Sequence, residues 1–183
     1  MGISEWPVAN GEWGKGDVAD KESPLATRHS PLAAAAIAAA RSWIGTPYIH
    51  QASAKGAGCD CLGLLRGVWR ELHGDEPEDA PPYAPDWADA TGEETLYAAL
   101  KRHLTEIDPR SIAPGDIALF RMMPHGPAKH CGIVADRKGM RTLIHTRQNK
   151  RVSEEPFSPR WRKKLAYLFT LAPAGGEGRV RGS

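Results

Sequence analysis

The stretch that decides the expected fold is Gly58-Cys59-Asp60-Cys61-Leu62-Gly63-Leu64-Leu65. It begins an apolar helix that we predict to run from Cys61 to Leu72 and to end at Gly74. Backbone N–H groups at a helix start favour a negative charge, so the pKa of a thiol at Cys61 is expected to fall. The stretch therefore predicts a nucleophilic cysteine at a helix N-terminus, with Asp60 as the N-cap.

The composition is that of an ordinary globular domain. The chain has 183 residues, of which 41% are hydrophobic and 25% charged, which suits one well-packed core with appendages. A formal net charge of only +2 gives no strong electrostatic field, so we expect no nucleic-acid partner. The three cysteines are an odd number and predict free thiols rather than a disulfide framework.

We interpret no segment as a membrane span or a signal peptide. No apolar stretch reaches the roughly 20 residues that a bilayer span needs. The apolar run 33–40 starts far into the chain and has no basic segment before it. We therefore expect synthesis in the cytoplasm and a separate delivery route for any action outside it.

Composition and periodicity divide the chain into three parts. Residues 1–28 lack sustained periodicity and are expected to form a poorly ordered or partner-docking arm. Residues 29–172 hold the periodic segments of one domain. The glycine-rich residues 173–183 are expected to form a flexible tail.

Within 29–172, helical patterns precede strand patterns. Besides the helix at Cys61, we predict helices from Ser30 to Trp43 and from Thr91 to Leu104, the latter with Thr91 and Glu94 as a capping box. Helices followed by strands predict an α+β domain with helices packed on an antiparallel sheet. The predicted strands are Ile117 to Arg121, Cys131 to Asp136, Met140 to Thr146 and Leu165 to Leu171.

Two of the seven histidines lie on adjacent predicted strands. One of them is a candidate general base for Cys61, and the other is a candidate for orienting the first. If Arg137 and Lys138 form the hairpin loop, His130 and His145 stand directly opposite one another, with Cβ atoms about 4.5–5.5 Å apart. A one-residue bulge would instead set His145 opposite Cys131. We prefer the first register because it separates polar from apolar side chains. The alternative to an interacting pair is that the two histidines are unrelated surface residues, and the pattern alone leaves this open.

The other two cysteines are expected to be structural, and a metal site is the alternative function for the cysteines and histidines. Cys59 and Cys131 are interpreted as small buried fillers rather than reactive thiols. The spacing is not that of a usual structural zinc site, and adjacent His130 and Cys131 are expected on opposite strand faces. We therefore expect no metal and no cofactor. The alternative that these observations argue against is a metal site formed by Cys59, Cys61, His130, Cys131 and His145.

Several motifs, in order along the chain, resemble those of NlpC-type (papain-like) cell-wall peptidases. The double cysteine around Asp60 and the run His130-Cys131-Gly132 are similar to the peptidases of tailed phages and gene transfer agents. Leu62 departs from the commoner pattern, which has a serine after the nucleophile. The matching segments are Arg41 to Tyr48, Gly58 to Leu64, Pro114 to Phe120, His130 to Val134 and Leu143 to Thr146.

The resemblance implies roles for five residues. Cys61 would be the nucleophile, His130 the base and His145 the residue that orients it. Tyr48 would contact the substrate near the nucleophile, and Asp60 would hold the free amine of a stem peptide. The structural alternatives are a packed aromatic for Tyr48 and a helix cap for Asp60.

The resemblance also implies an activity and a place of action. The reaction would be hydrolysis of an amide in peptidoglycan stem peptides, typically between D-γ-glutamate and the diamino acid, without a metal. The chain would travel in a phage-like tail, with tail or hub proteins as partners, and act in the periplasm or cell wall. The alternatives are a catalytically silent structural component of such a tail and a thiol amidase or acyltransferase acting on another amide.

Overall fold

A computed structural model of the chain describes residues 31–83 and 92–171. The predicted arm 1–28, the predicted tail 173–183 and the predicted helix start at Thr91 lie outside the described residues. No helix in the described ranges combines the length and the hydrophobicity that a membrane span needs.

Three helices match the predicted ones closely, and a short fourth was not predicted. Helix α3 begins at Thr95, four residues later than predicted, with Glu94 as its N-cap and no side-chain capping bond. The helices are α1 (Pro31–Ser42), α2 (Cys61–His73), α3 (Thr95–His103) and α4 (Pro159–Lys164).

The strands form a small hairpin and one antiparallel sheet of six strands. The hairpin comprises β1 (Ser53–Ala54) and β2 (Gly58–Cys59) and directly precedes α2. The sheet has the order β3-β8-β4-β5-β6-β7, which confirms the predicted α+β class. Its strands are β3 (Thr105–Ile107), β4 (Ile117–Arg121), β5 (Ala128–Arg137), β6 (Met140–His145), β7 (Ser153–Pro156) and β8 (Leu165–Thr170).

The sequence analysis missed β1, β2, β3, β7 and α4, and the last two have weak sequence patterns. Strand β7 reads Ser-Glu-Glu-Pro and has no buried apolar residue, so hydrophobic alternation does not reveal it. Helix α4 has six residues and buries only Trp161. Both are stabilised by contacts with the sheet rather than by local preference.

The sheet has apolar cover on both faces. On one face, alternate strand residues such as Leu119, Cys131 and Ile133 pack in the same buried cluster as residues of α1, α2 and α3. On the other face, Phe120 and Val134 pack against a smaller cluster that includes Trp161 and Phe157. This alternation follows the two-residue period of a strand, so neighbouring residues serve opposite faces.

The β5–β6 hairpin differs from the predicted register by two residues. Arg137 pairs with Met140, which makes Lys138 and Gly139 the loop. Both loop residues have positive φ, 51° and 78°, as a tight turn of type I′ requires. Since glycine adopts positive φ easily, the turn centres on Gly139 rather than on Arg137 and Lys138.

Candidate active site

Asp60 and Cys61 are held at the start of α2 by a capping bond. Asp60 is buried, with 3% of its surface exposed, and its Oδ1 accepts a hydrogen bond from Gly63 N–H at 2.7 Å. Cys61 is therefore the first residue of the helix, as predicted. Its half-buried side chain lies beside the unpaired N–H groups of the first turn, which favour a thiolate.

The second oxygen of Asp60 is also engaged. Oδ2 accepts the backbone N–H of Gln51 at 2.7 Å and the hydroxyl of Tyr83 at 2.5 Å. His50 Nδ1 lies 3.5 Å from the same oxygen. Asp60 thus caps the helix, which is one of the two roles considered from the sequence. It also binds the segment before the helix through Gln51 and the segment after it through Tyr83.

Tyr48 lies close to both Asp60 and Cys61. Its backbone forms a bridge with Cys59, which brings the loop before β1 alongside β2. Burial raises the pKa of the Tyr48 hydroxyl, and the negative charges of Asp60 and Cys61 raise it further. The hydroxyl therefore remains protonated near neutral pH and can donate a hydrogen bond in the neighbourhood of Cys61.

His130 and His145 contact each other directly. His130 Nε2 lies 2.9 Å from His145 Nδ1, and the two residues are 7% and 1% exposed. Continued by one residue, the observed register sets His145 opposite Gly132, so the histidines are diagonal neighbours and not directly opposed. A Cβ on Gly132 would lie 3.0 Å from the Cβ of His145, so the glycine leaves space for the ring.

The Cys61 thiol has a pKa well below its ordinary value. The main cause is a hydrogen bond from the Cys131 thiol, and a hydrogen bond from His130 and its positive charge act in the same direction. These effects outweigh burial, which favours the neutral thiol. In turn, the contact with Cys61 raises the pKa of Cys131, which keeps its proton.

Cys131 therefore lowers the pKa of Cys61, and is not only the small buried filler that the sequence analysis predicts. It is fully buried, and its single S–H proton can be donated either to the Cys61 sulfur or to the carbonyl oxygen of Cys61, 3.3 Å away. Cys59 is equally buried, but burial raises the pKa of its thiol to about 12. Among the three free cysteines, Cys61 alone has conditions that favour the thiolate.

Two further residues, Glu155 and Trp161, adjoin the histidine pair. The Trp161 indole stacks on His130, with ring centroids 5.5 Å apart and an angle of 26° between the planes. It also meets His145 edge-on at 4.9 Å. Glu155 Oε1 lies 3.2 Å from His145 Nε2. Neither residue was singled out from the sequence, because β7 and α4 were not predicted there.

The described residues contain no group of three or more His, Cys, Asp or Glu side chains arranged to hold a metal ion. The cysteines and histidines of the alternative metal site are thus not arranged as a ligand set.

The five residues singled out from the sequence lie in one region of the structure. Cys61 interacts with His130, His130 contacts His145, and Asp60 and Tyr48 lie beside Cys61. The sequence analysis missed the roles of Tyr83, Cys131, Glu155 and Trp161. For Cys131, the usable sequence signal was its position next to His130.

Comparison with known proteins identifies the fold. The sequence matches no protein-family model and no curated protein. The structure is similar to the NlpC/p60 domain of the peptidoglycan hydrolase SagA, with a TM-score of 0.51 and 23% identity over 75% of this chain and 97% of that one.

Two longer proteins contain a similar domain. An NlpC/p60 family protein from Bacillus cereus has a TM-score of 0.54 and 21% identity over 77% of this chain and 40% of its own. A lipoprotein-like NLP/P60 family protein from Staphylococcus aureus has a TM-score of 0.50 and 17% identity, over 76% and 41%. At these identities the likeness establishes the fold, which is the NlpC type that the motifs predicted.

Proposed function

We propose that this chain, which has the NlpC/p60 fold, is a cysteine peptidase that hydrolyses an amide bond in peptidoglycan stem peptides. The observation that carries the proposal is the depressed pKa of Cys61 at the start of α2, beside the contacting pair His130 and His145. A thiolate, an imidazole and a group that orients the imidazole are the parts that thiol-dependent acyl transfer needs. The bond we propose is the one between D-γ-glutamate and the diamino acid.

The proposed reaction has two steps, acylation and deacylation. The proton of Cys61 passes to His130, and the thiolate attacks the scissile carbonyl carbon. Backbone N–H groups at the start of α2, including that of Cys61, stabilise the oxyanion. His130 then gives its proton to the leaving amine, and a water activated by His130 hydrolyses the thioester. His145 keeps the His130 ring oriented through the 2.9 Å contact.

Tyr48 and Asp60 are proposed to bind the substrate. The protonated Tyr48 hydroxyl would donate to the scissile carbonyl, and the Asp60 carboxylate would hold a free amine of the stem peptide. Asp60 Oδ2 already accepts the Tyr83 hydroxyl at 2.5 Å. An amine that binds Asp60 therefore has to displace that hydroxyl, which makes Tyr83 a competitor for the same oxygen.

We also propose delivery by a phage-like tail, with tail or hub proteins as partners and action in the cell wall. The support is the likeness of Cys59-Asp60-Cys61 and His130-Cys131-Gly132 to tail-associated peptidases. Mass spectrometry of purified tail particles tests this proposal, because a carried enzyme is recovered in them at a constant ratio to the structural proteins.

The mechanism is tested by Cys61→Ala with Cys59→Ala as the matched control. Loss of the nucleophile is expected to lower kcat on a defined stem peptide by at least about a thousandfold. Cys59→Ala removes a buried thiol whose pKa is raised and should keep most of the activity. Mass spectrometry of the products identifies the bond that is cut.

Full activity in Cys61→Ala would refute the mechanism. A wild-type chain that leaves every stem peptide intact would instead favour the silent structural component. Cleavage or acyl transfer on an unrelated amide alone would favour the thiol amidase or acyltransferase.

A further inference from the structure

The buried end of the histidine pair faces a carboxylate. His145 is 1% exposed, and its Nε2 makes no well-aligned hydrogen bond within the described part of the chain. The carboxylate oxygen Oε1 of Glu155 nevertheless lies 3.2 Å from it. An imidazole N–H so deeply buried is costly without an acceptor, so this oxygen is the group that can compensate it.

Glu155 is itself held in position. Its Oε1 accepts the indole N–H of Trp161 at 2.6 Å, and Arg147 lies 3.6 Å from its other oxygen. Strand pairing sets Glu155 opposite Leu143, on the same face of the sheet as His145. The carboxylate is therefore aimed at His145 by both the register of β7 and the bond from α4.

The position of this carboxylate selects one tautomer of His145. With hydrogen on Nε2, His145 donates towards Glu155, whereas a lone pair there would face the negative oxygen. Nδ1 of His145 is then an acceptor, so His130 Nε2 has to be the donor across the 2.9 Å contact. The remaining nitrogen of His130, Nδ1, is left as the one that can take the proton of Cys61.

We propose that Glu155 is a positioning residue which, acting through His145, fixes the tautomer and the orientation of His130. The inference rests on the proposed peptidase function for its effect on rate, but the tautomer itself does not depend on any substrate. Trp161 contributes by fixing the carboxylate with its N–H and by stacking on the His130 ring.

The charges around His145 agree with this role. Burial lowers the pKa of His145 to about 4, and the charges of His130 and Arg147 lower it further. Glu155 opposes these effects both by its charge and as an acceptor. His145 therefore works as a neutral ring at physiological pH, and its tautomer, rather than its charge, is what Glu155 controls.

The test compares Glu155→Ala, Glu155→Gln and Glu154→Ala. Glu154 is the adjacent carboxylate, but it bonds Arg41, Arg137 and Thr142 instead of His145. We expect Glu155→Ala to lower kcat about 10- to 100-fold with little change in KM, the effect of losing an orienting partner of a functional histidine. Glu155→Gln retains an acceptor oxygen and should recover much of kcat. Glu154→Ala should lose stability but keep kcat.

Nitrogen-15 NMR of the histidine side chains reports the tautomer of His145. If Glu155 had only a structural role, its replacement would leave this tautomer unchanged. We expect the wild-type His145 to carry hydrogen on Nε2, and Glu155→Ala to shift it towards Nδ1 or to a mixture. An unchanged tautomer together with an unchanged kcat in Glu155→Ala overturns the inference. If no stem peptide is cut but the tautomer changes, the positioning role stands and the proposed peptidase function fails.

Discussion

The contact between Cys131 and Cys61 means that a thiol on β5 directly affects the ionisation of the Cys61 thiol. An S–H group is a weak donor, but a negatively charged acceptor strengthens the bond. The proton stays on Cys131 because burial and the nearby thiolate both raise its pKa. Cys61 can then remain a thiolate even while part of its environment is apolar.

Cys131→Ala is expected to raise the pKa of Cys61 towards that of an ordinary thiol. Because one stabilising hydrogen bond is lost, the acid limb of the pH dependence of kcat/KM should move to higher pH. The measurement is the rate of Cys61 alkylation by iodoacetamide as a function of pH, beside kcat/KM on a stem peptide.

Cys59→Ala is the control for this substitution, since it removes an equally buried thiol. Its alkylation profile should match the wild type. An identical profile in Cys131→Ala would show that the thiol contact does not support the thiolate.

At the scale of elements, α2 is fastened at its first turn by the segment that follows it. Tyr83 returns to Asp60, and its backbone carbonyl accepts the side chain of Gln51 at 2.5 Å. The Tyr83 ring also meets His50 edge-on, with centroids 5.1 Å apart. The segment therefore covers the oxygen that we propose as the amine-binding group.

Tyr83→Phe is expected to favour substrates that have a free amine. It removes the hydroxyl that competes for Asp60, so KM for a free-amine stem peptide should fall about fivefold, for one hydrogen bond of about 1 kcal/mol. KM for the N-acetylated peptide should stay the same, because that peptide offers no cation. Steady-state kinetics with both peptides measure the difference.

Tyr97→Phe is the matched control, as it removes a comparable bond to a carboxylate, Glu106, at 2.9 Å and on another element. Equal changes in KM for both peptides in Tyr83→Phe would argue against amine binding at Asp60.

At the scale of the whole molecule, one buried carboxylate connects α1 to the far edge of the sheet. Arg41 donates from Nε and Nη2 to the two oxygens of Glu154, at 3.0 and 2.9 Å. Arg137 and Thr142 add bonds at 2.6 and 2.7 Å. The side chain of Glu154 is only 1% exposed, so these partners compensate a charge that water does not reach.

The stability of the fold is expected to depend on the ionisation of Glu154. The bond from Arg41 is the main cause that lowers its pKa to about 2. A carboxylate with a lowered pKa stabilises the folded state above its unfolded pKa and loses that effect as the pH falls through the folded value. The contribution should therefore be complete at neutral pH and decline between about pH 5 and pH 2.

Glu154→Gln should lower the free energy of unfolding at neutral pH by about 2 kcal/mol, a value reduced for the solvent exposure of the two arginines. Its stability should also vary less with pH over the acid range. Urea unfolding from pH 7 to pH 2.5 measures both effects, and parallel curves for the two proteins would contradict the assignment.

The sequence by itself determined the α+β class, the position of Cys61 at the start of α2 and the shared face of His130 and His145. These features depend on local preferences: an N-cap, an apolar period and the two-residue alternation of strands. The loop at Lys138 and Gly139 could also have been predicted from the sequence, because glycine favours the positive φ that such a turn needs.

Only the tertiary structure decided which side chains meet around these residues. Cys131 reaches Cys61 across 70 positions of the chain, and Glu155 reaches His145 from a polar strand that has no hydrophobic pattern. Tyr83 reaches Asp60 from a segment without regular structure. Local periodicity says which face a residue occupies, whereas such contacts depend on how separate elements pack and pair, and that information is spread over the whole chain.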